Sequence, residues 1–473
     1  MAFLNRSREL ASLRTAARSD QAELVIVYGR RGVGKSTLLS HAVHGMRHVF
    51  YGATRRTLPV QLEDLTAVVR GAYPDEFVPA MFTSVEEFLR FLAELARRHP
   101  AEPVVAIIDE LPYLADVDPG LLTVLQHWWD RSKGLANLKL FLAGSNVGFM
   151  ERQVLGASAP LYNRRTGQLK LEPLRYDEAA LFFPSYSPRE RIEAYAVLGG
   201  MPTYLERFDP NRGLDENLLL TVLRPNTFLN REPDWLLLED LRRDVIYGSI
   251  LRAVATRNRR PSDIARSIGK ASAQDITQQI EALRDLNLIR REVPITDIQR
   301  PMSRRSLYWL ADNYLAFWYR YVDPNQSLIT EGQGQRVLAR IKQSFHEYVA
   351  RPPFEEVCRQ FLLRAYAADR LPANLHFNAV GTWWNRTHEI DIVAQEGGAT
   401  TLVGSCKWMN ASMAGGDLYQ LRQALAAAKA ELKPASSCWY ALFSREGFDA
   451  SLVTAAGEPD SCILLFTPED LFE

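Results

Sequence analysis

The 473-residue chain is poor in cysteine and has no C-x-x-C spacing. Its four cysteines are Cys358, Cys406, Cys438 and Cys462. This pattern argues against a zinc site and against a disulfide framework. We therefore expect the protein to work in a reducing, cytoplasmic environment.

The sequence also lacks net charge and long apolar runs. Lys plus Arg and Asp plus Glu both number 56, and the N-terminus has no apolar run typical of a signal peptide. The most aromatic stretch, residues 307–322, is short and contains Asp312, Asn313 and Arg320. A buried helix explains that stretch better than a membrane span, so no membrane association is expected. The length predicts two to four domains.

The charges that are present are unevenly distributed. Between Arg242 and Arg305 there are 14 basic and 7 acidic residues, a net charge of +7. From Asn374 to Glu473 there are 6 basic and 12 acidic residues, a net charge of −6. The middle of the chain is therefore a candidate nucleic-acid surface, whereas charge alone gives no such indication for the end.

The most informative stretch has the phosphate-binding spacing G-x-x-x-x-G-K-[ST]. It follows an apolar run at residues 24–28 that predicts a buried strand, and it precedes a helix predicted from Thr37 to His48. Glycines allow backbone N–H groups to surround phosphates at a helix N-terminus, where the helix dipole favours anions. Lys35 is expected to reach the β- and γ-phosphates of ATP, and Ser36 to bind Mg²⁺. The expected nucleotide-binding residues are Gly29, Arg30, Arg31, Gly32, Val33, Gly34, Lys35, Ser36 and Thr37.

A second apolar run, residues 104–110, ends in two carboxylates. It predicts a buried parallel strand. Asp109 fits the acidic residue that holds Mg²⁺ through water, and Glu110 is then placed to act as general base on the attacking water. The alternative is a strand that ends in a solvated acidic turn.

Two further segments carry polar residues next to predicted strands. The apolar run 138–144 ends in Ser145 and Asn146, which we expect to contact the γ-phosphate or its water unless they only cap a helix. Arg164 and Arg165 precede a strand predicted at residues 168–171. They are candidates to stabilise transition-state charge on their own or a neighbour's nucleotide, or else to form a structural ion pair.

This order of motifs resembles the AAA+ ATPases and, more narrowly, the archaeal-type prokaryotic ATPases of the STAND group. The narrower resemblance rests on Phe3-Leu4-Asn5-Arg6 with Glu9-Leu10, on residues 28–31 and 161–166, and on Gly199-Gly200-Met201-Pro202. It implies that the N-terminal segment and the turn of a helical lid lie near the base, which makes Asn5, Arg6 and Pro202 adenine-side candidates. A helix break is the simpler explanation of the Gly-Gly-x-Pro turn. The family usually has Gly at the position of Asn163.

The middle region has the pattern of a winged helix. Residues 261–269 and 272–288 predict two helices, and residues 289–293 and 306–310 predict two strands around a basic loop. The second helix would enter the major groove of DNA, with Arg290, Arg291, Arg304 and Arg305 near phosphates. Such modules in AAA+ proteins also mediate protein contacts, which is the alternative.

The C-terminal region resembles the restriction-endonuclease-like fold and the domain that often follows this type of ATPase. One helix is predicted over residues 345–366, followed by a strand with Glu389 and Asp391 and a strand that ends at Lys407. The chemistry needs two carboxylates on Mg²⁺ and a lysine beside the attacking water. Asp391 and Lys407 match, but Ser405 stands where the second carboxylate is expected. Either another acid substitutes or the nuclease site is degraded; the candidates are Glu389, Glu356 and Asp417.

The whole sequence predicts an α/β protein: a P-loop AAA+ ATPase core (residues 1–175), a helical lid (176–235), a winged-helix domain (236–330) and an endonuclease-like domain (331–473). We expect ATP and Mg²⁺ as cofactors, DNA as a partner through the winged helix, and self-association under ATP. ATP binding and hydrolysis would then change conformation or assembly on DNA. The alternative is a signalling or regulatory switch that acts through protein partners and cleaves no nucleic acid.

Overall fold

The computed structural model describes residues 4–240, 245–300 and 303–473. Phe3 of the N-terminal motif and Arg242, where the basic segment begins, lie outside the described residues. The chain divides into two compact units. The first contains the residues up to Pro173 together with Asp285–Asn287, and the second contains Leu174–Arg284 and Leu288–Glu473. The predicted borders at residues 236 and 331 fall inside the second unit and stay predictions.

The first unit is an α/β fold around a five-stranded parallel sheet in the order β2-β3-β4-β1-β5. Strands β3 and β4 are buried along their whole length, which explains their uninterrupted apolar runs. The elements in chain order are α1 (Ser7–Ala17), β1 (Glu23–Tyr28), α2 (Lys35–Ala42), β2 (His48–Gly52), α3 (Leu58–Ala72), α4 (Val85–Arg98), β3 (Val104–Asp109), α5 (Leu111–Val117), α6 (Leu121–Ser132), β4 (Leu138–Gly144), α7 (Val147–Phe149, followed by a π-helical turn, Met150–Val154) and β5 (Gly167–Lys170).

The helix after the phosphate-binding loop differs from its prediction at both ends. It begins at Lys35 and ends at Ala42, and His48 already belongs to β2. Gly34 precedes the helix with φ 96°, and Gly45 follows it with φ 79°. Both values lie in the left-handed region that favours glycine, so the chain leaves the helix before residue 48.

The second unit is longer and mixed. Its first part is helical: α8 (Tyr176–Ala179), α9 (Pro188–Leu198), α10 (Pro202–Leu205), α11 (Leu214–Thr221), α12 (Phe228–Asp240), α13 (Val245–Ala255), α14 (Pro261–Ser267) and α15 (Thr277–Asp285). Its later part contains β6 (Ile289–Glu292), β7 (Leu307–Leu310), α16 (Asn313–Phe317), α17 (Gln326–Thr330), α18 (Gly334–Val349), α19 (Glu355–Ala367), β8 (Ala379–Trp384), β9 (Glu389–Glu396), β10 (Ala399–Lys407), α20 (Gly415–Ala427), α21 (Lys429–Leu432), β11 (Pro434–Ser444), α22 (Ala450–Gly457) and β12 (Ile463–Phe466).

The predicted helices and strands of the middle region are present. Helices α14 and α15 are followed by the antiparallel pair β6 and β7, in which Ile289 lies opposite Leu310. A 3₁₀ turn, Ala273–Ile276, leads into α15. The assignment of these elements to a winged-helix domain stays a prediction.

The single helix predicted over residues 345–366 is wrong. Helix α18 ends at Val349 and α19 begins at Glu355, with a π-helical turn between them. Arg351 is extended there, with φ −149° and ψ 126°. The cause is local, because a proline disfavours the helical conformation of the residue before it and Pro352 follows Arg351.

The C-terminal sheet has five strands in the order β12-β11-β10-β9-β8. Strand β9 is antiparallel to both β8 and β10, whereas β10, β11 and β12 run parallel to one another. Residues of β9, β10 and β11 pack with α20 in one buried apolar cluster. This sheet positions Asp391 and Lys407 on the neighbouring strands β9 and β10.

Among the residues that the structure describes, none of the helices combines the length and the apolar character that crossing a bilayer would need.

Candidate functional site

The phosphate-binding loop lies at the carboxyl end of β1 and leads into α2. Gly29 has φ 152°, and a Cβ built on it would lie 2.3 Å from the carbonyl oxygen of Leu171, so the loop requires glycine there. A Cβ on Gly34 would meet no atom within 4 Å. Gly34 therefore faces open space, and its φ of 96° is what favours glycine. This open, glycine-lined turn at a helix N-terminus fits a phosphate group.

Lys35 is buried under this loop. Its Nζ donates to the carbonyl oxygens of Gly29 at 2.9 Å and Arg30 at 3.3 Å. Burial lowers the pKa of Lys35, and the nearby carboxylates of Glu110 and Asp109 oppose that shift. Phosphate oxygens are better partners for a buried ammonium than two carbonyl groups, because each carries negative charge.

Ser36 and Asp109 meet at the predicted Mg²⁺ position. The Ser36 hydroxyl donates to Oδ2 of Asp109 at 2.5 Å, and the backbone N–H of Glu110 donates to Oδ1 at 2.9 Å. Ser36 and Thr37 are exposed at the first turn of α2, while Asp109 is 5% exposed. A hydroxyl and a carboxylate on one side of an open loop form an oxygen donor set that suits Mg²⁺.

The sequence predicts that Glu110 and Asp109 both belong to one strand. In the structure β3 ends at Asp109, and Glu110 lies in the turn that follows. Its φ of 54° and ψ of 44° are left-handed, and α5 begins at the next residue. The carboxylate turns toward β4, where Oε2 accepts hydrogen bonds from the Ser145 hydroxyl at 2.7 Å and the Ser145 N–H at 3.1 Å. The expected general base and the expected sensing serine therefore contact each other.

Asn146 caps a helix, which is the alternative that the sequence left open for it. Its Oδ1 accepts the backbone N–H of Phe149 at 2.9 Å and thereby caps α7. The two neighbouring polar residues therefore have different contacts: Ser145 contacts Glu110, whereas Asn146 caps the start of α7.

The N-terminal segment is tied to the strand β5 side of the first unit. Asn5 and Arg6 both have positive φ, 67° and 65°. Arg6 is buried, pairs with Glu9 at 3.0 Å and donates to the carbonyl oxygen of Glu172 at 2.5 Å. Nδ2 of Asn5 is buried without a hydrogen-bond partner among the described residues. A buried amide without a partner is costly, so this atom suits an acceptor on a ligand such as a base.

Pro202, the third adenine-side candidate, begins α10 in the second unit. Gly200 before it is sterically required, since a Cβ there would lie 1.8 Å from the carbonyl oxygen of Leu174. The Leu174 N–H donates to the Gly200 carbonyl oxygen at 2.7 Å. The adenine-side role of Pro202 stays a prediction.

Arg164 and Arg165 lie at the edge of the first sheet opposite the phosphate-binding loop. Thr166 bonds to Leu24 near the start of β1, whereas Leu171 bonds to Tyr28 at its end. A strand rises about 3.3 Å per residue, so the backbone of the two arginines lies on the order of 15–20 Å from the loop along the strand direction. Their action on the chain's own nucleotide is therefore disfavoured.

The two arginines also have partners within the chain. Arg164 pairs with Asp130, with Nη2 2.8 Å from Oδ2, and Arg165 lies over the Tyr162 ring with its guanidinium carbon 5.2 Å from the centroid. The structural ion pair and the action on a neighbour's nucleotide are the alternatives that remain.

The predicted nuclease residues meet in the C-terminal sheet. Oδ2 of Asp391 accepts the Cys406 N–H at 2.8 Å, and the Ser405 hydroxyl lies 3.4 Å from the same oxygen. Burial raises the pKa of Asp391, and the charge of Lys407 acts in the opposite direction. Asp391, Ser405 and Lys407 are thus brought together as expected.

The proposed substitutes for the second carboxylate are engaged elsewhere. Glu389 pairs with Arg351, with Oε2 2.6 Å from Nη1. Glu356 accepts from Arg359 at 3.0 Å, and Asp417 accepts the Ala414 N–H at the start of α20. Each acid already has a cation or a backbone donor.

Sequence reasoning overlooked Glu355 as a member of this cluster. Burial, together with the Asp391 charge, raises the pKa of Glu355 to about 8. Nε of Arg351 lies 3.5 Å from Glu355 Oε1. The sequence feature that could have indicated this role is the Pro352-Pro353 pair. It sets where α19 begins, and the start of the helix determines whether Glu355 or Glu356 faces the sheet.

A metal site built from three side chains is absent from the described part of the chain. Nowhere in it do three or more His, Cys, Asp or Glu side chains come together in a group that could hold an ion. In the C-terminal cluster, Arg351 supplies positive charge beside Glu355 and Glu389.

Two segments of the chain match known protein families. Residues 3–208 match a family described as an ATPase domain predominantly from Archaea, and residues 318–417 match DUF234, archaeal and bacterial proteins of unknown function. The uncharacterised protein MJECL04 of Methanocaldococcus jannaschii is 30% identical over 392 residues, which cover 83% of this chain and 84% of that protein.

The chain is similar to several solved structures, one of which reaches a TM-score of 0.50. The Walker-type ATPase PABY2304 of Pyrococcus abyssi is 21% identical with a TM-score of 0.50, over 67% of this chain and 96% of that one. The ORC2 protein of Aeropyrum pernix, solved as ADPNP-ADP complexes, is 15% identical with a TM-score of 0.41, over 72% of this chain and 96% of that one. The P-loop α/β fold predicted from the sequence is confirmed. The chain belongs to the archaeal-type ATPases that carry a DUF234 segment after the ATPase domain.

Proposed function

We propose that this ATPase hydrolyses ATP with Mg²⁺ and uses the cycle to change conformation or assembly on DNA. The observation that carries the proposal is the meeting of Lys35, Ser36, Asp109 and Glu110 at the carboxyl edge of one parallel sheet. Phosphate binding, metal binding and base catalysis need these groups within one small volume.

Each residue has a definite task in that chemistry. Bound ATP supplies the phosphoanhydride bond that water breaks. Lys35 would give up its two carbonyl partners for phosphate oxygens of bound ATP, and Ser36 and Asp109 would hold Mg²⁺, which would supply positive charge to the phosphates. Glu110 takes a proton from the attacking water.

The contact between Glu110 and Ser145 supports a switch rather than a constantly active hydrolase. Both hydrogen bonds from Ser145 go to Oε2 of Glu110, so they occupy an oxygen that would otherwise accept the proton of the attacking water. Turnover therefore requires Ser145 to release Glu110. A change elsewhere in the chain that moves β4 relative to β3 would control that release.

The position of Arg164 and Arg165 supports self-association. An arginine at the sheet edge far from its own loop can stabilise transition-state charge only on a neighbour's nucleotide. Assembly under ATP would then couple hydrolysis to the oligomer.

The nuclease-like cluster supports weak cleavage at most. Ser405 supplies a hydroxyl where a carboxylate is needed, and Arg351 already neutralises Glu389. A cation beside the carboxylates lowers their affinity for Mg²⁺.

A switch that acts through protein partners is the second candidate. The observation that favours it is the charge of the second helix of the middle region. The segment 273–285 carries three acidic residues and one basic residue. Such a helix is poorly suited to the major groove of DNA.

The test is ATP turnover, measured as phosphate release with and without duplex DNA. Wild-type turnover should rise with DNA, and Lys35→Ala should lose tight ATP binding, while Lys133→Ala at the exposed end of α6 retains it. The DNA from the same reactions should stay intact. Unchanged turnover with DNA would favour the protein-partner switch, and Mg²⁺-dependent scission that Asp391→Ala abolishes would contradict a degraded nuclease site.

A further inference from the structure

A basic cleft crosses the second unit between the middle region and the C-terminal sheet. Its main part has a volume of about 1280 Å³, and an adjoining recess has about 410 Å³. The main part alone exceeds the roughly 300–1,000 Å³ that is typical of small-molecule sites. The two parts share Arg260, Leu307 and residues 384–386, so they form one continuous feature, here called the arginine cleft.

The charge of the arginine cleft is strongly positive. Nine basic and four acidic side chains line its two parts, a net charge of +5 with histidine neutral. Arg305 neutralises two of the acids, with Nη2 2.7 Å from Asp297 and Nη1 2.9 Å from Glu431. Since Arg351 pairs with Glu389, the acids leave little free negative charge in the cleft.

Three arginines of the cleft remain available for a ligand. Arg260 follows α13, Arg304 lies in the loop between β6 and β7, and Arg386 lies in the turn between β8 and β9. All three are exposed, and none has a hydrogen bond or ion pair from its side chain within the described part of the chain. Three separate elements thus direct unpaired guanidinium groups into one space.

The recess adds two arginines that lie close together. The guanidinium carbon of Arg259 lies 3.3 Å from the Trp309 ring centroid, and that of Arg351 lies 5.6 Å from the same ring. Nε of Arg259 is buried without a hydrogen-bond partner among the described residues. Burial and the Arg351 charge lower the pKa of Arg259 to about 9. An anion in the recess would relieve this repulsion.

The arginine cleft differs in charge from the helix that the winged-helix pattern predicts to read DNA. The segment 273–285 is net negative, and its Arg284 is paired with Glu281 at 2.7 Å. Two of the predicted phosphate contacts of the wing are also engaged, since Arg291 donates to Ser306 at 2.7 Å and Arg305 holds Asp297. Free positive charge is concentrated in the cleft and not on the helix.

We propose that the arginine cleft, and not helix α15, binds the phosphodiester backbone of DNA. The proposal rests on the proposed action of this ATPase on DNA and names the surface that makes the contact. Arg260, Arg304 and Arg386 each contact a phosphate, and Arg259 with Arg351 holds a further one at the recess. A backbone that passes through the recess reaches the neighbourhood of Glu389 and the C-terminal carboxylates.

The test compares two triple variants with the same loss of charge. The cleft variant is Arg260→Gln/Arg304→Gln/Arg386→Gln. The control is Arg284→Gln/Arg336→Gln/Arg340→Gln, which removes three exposed arginines of the same unit that lie outside the cleft and includes the arginine of α15. Fluorescence anisotropy of a labelled 30-base-pair duplex and of its single strand measures Kd across a salt series.

The cleft variant should bind at least tenfold more weakly, and the slope of log Kd against log salt should fall by about 2–3, because each lost phosphate contact removes about 0.9 from it. The control should stay within about threefold of the wild type. If the control weakens as much as the cleft variant, or if the cleft variant binds like the wild type, the cleft assignment is overturned while DNA binding stands.

A wild type that binds neither form of DNA overturns both the cleft and the DNA part of the proposed function. ATP turnover of the cleft variant without DNA should equal that of the wild type. That measurement shows that the variant is folded, so a loss of DNA binding cannot be ascribed to unfolding. A loss with only one form of DNA identifies that form as the occupant.

Discussion

At the scale of single residues, the geometry around Glu110 decides whether the ATPase site is poised or restrained. The left-handed backbone of Glu110 costs roughly 1–3 kcal/mol, and the neighbouring structure must sustain it. That conformation directs the carboxylate to Ser145. Strain at a catalytic base is consistent with a residue that changes its partners during the cycle.

The first prediction is that Ser145→Ala raises ATP turnover in the absence of DNA by about two- to tenfold. The hydrogen bond from the Ser145 hydroxyl to the Glu110 carboxylate is worth about 1.5–3 kcal/mol, and its loss frees Glu110 to approach the attacking water. Asn146→Ala is the matched control, which should lower stability by about 1 kcal/mol through the lost cap and leave turnover unchanged. A fall in turnover for Ser145→Ala would instead assign it to γ-phosphate sensing.

The second prediction concerns the pH dependence of stability. Because the pKa of folded Glu355 is about 8, above the usual 4.5, the folded chain keeps a proton that the unfolded chain releases. The free energy of unfolding therefore falls as pH rises from about 4.5 to 8, by up to about 1.4 kcal/mol per pH unit. The difference in Tm between Glu355→Gln and the wild type should grow in favour of the variant from pH 5 to pH 8.

Glu356→Gln is the control for this measurement. Burial alone would raise the pKa of Glu356, but the charges of Arg359 and Arg290 hold it below its usual value. Glu356 is therefore ionised in both states above pH 5, and its variant should show a constant Tm difference. A constant difference for Glu355→Gln as well would contradict the buried, protonated carboxyl.

At the scale of elements, the segment between α7 and β5 carries Arg164 and Arg165, whose alternatives are a structural ion pair and action on a neighbour's nucleotide. We predict that Arg165→Ala lowers ATP turnover and leaves ATP affinity nearly intact. Arg164→Ala should cost at most about 1 kcal/mol of stability, because its pair with Asp130 is partly exposed. Mixing Arg165→Ala with Lys35→Ala protein should restore some phosphate release; no rescue, together with a monomeric mass under ATP, would argue for a structural role.

The sequence predicted those elements whose patterns are local. The buried strands and the phosphate-binding loop follow from apolar runs and fixed spacing, and all of them are present. The break at Arg351 also has a local cause, but the amphipathic pattern around it suggested one continuous helix. The contact of Ser145 with Glu110 was not predictable, because it joins residues 35 positions apart through a left-handed turn.

At the scale of the whole molecule, the chain combines an ATPase unit with a second unit whose cleft is lined by nine basic and four acidic side chains. The overall charge of zero conceals this arrangement. Only folding brings Arg260, Arg304 and Arg386 to one cleft, since they come from three distant segments. A sequence-based count of charge indicates the basic region, but it cannot show which of its arginines share one surface.

The most direct test of the central claim is phosphate release by the wild type and by Glu110→Gln, each with and without DNA. We expect DNA to stimulate the wild type, and we expect Glu110→Gln to bind ATP with unchanged affinity but to release phosphate at least a hundredfold more slowly, since it lacks the base. Hydrolysis by Glu110→Gln at the wild-type rate would contradict the assignment of this residue. A wild-type rate that DNA leaves unchanged would contradict the coupling of ATP hydrolysis to DNA.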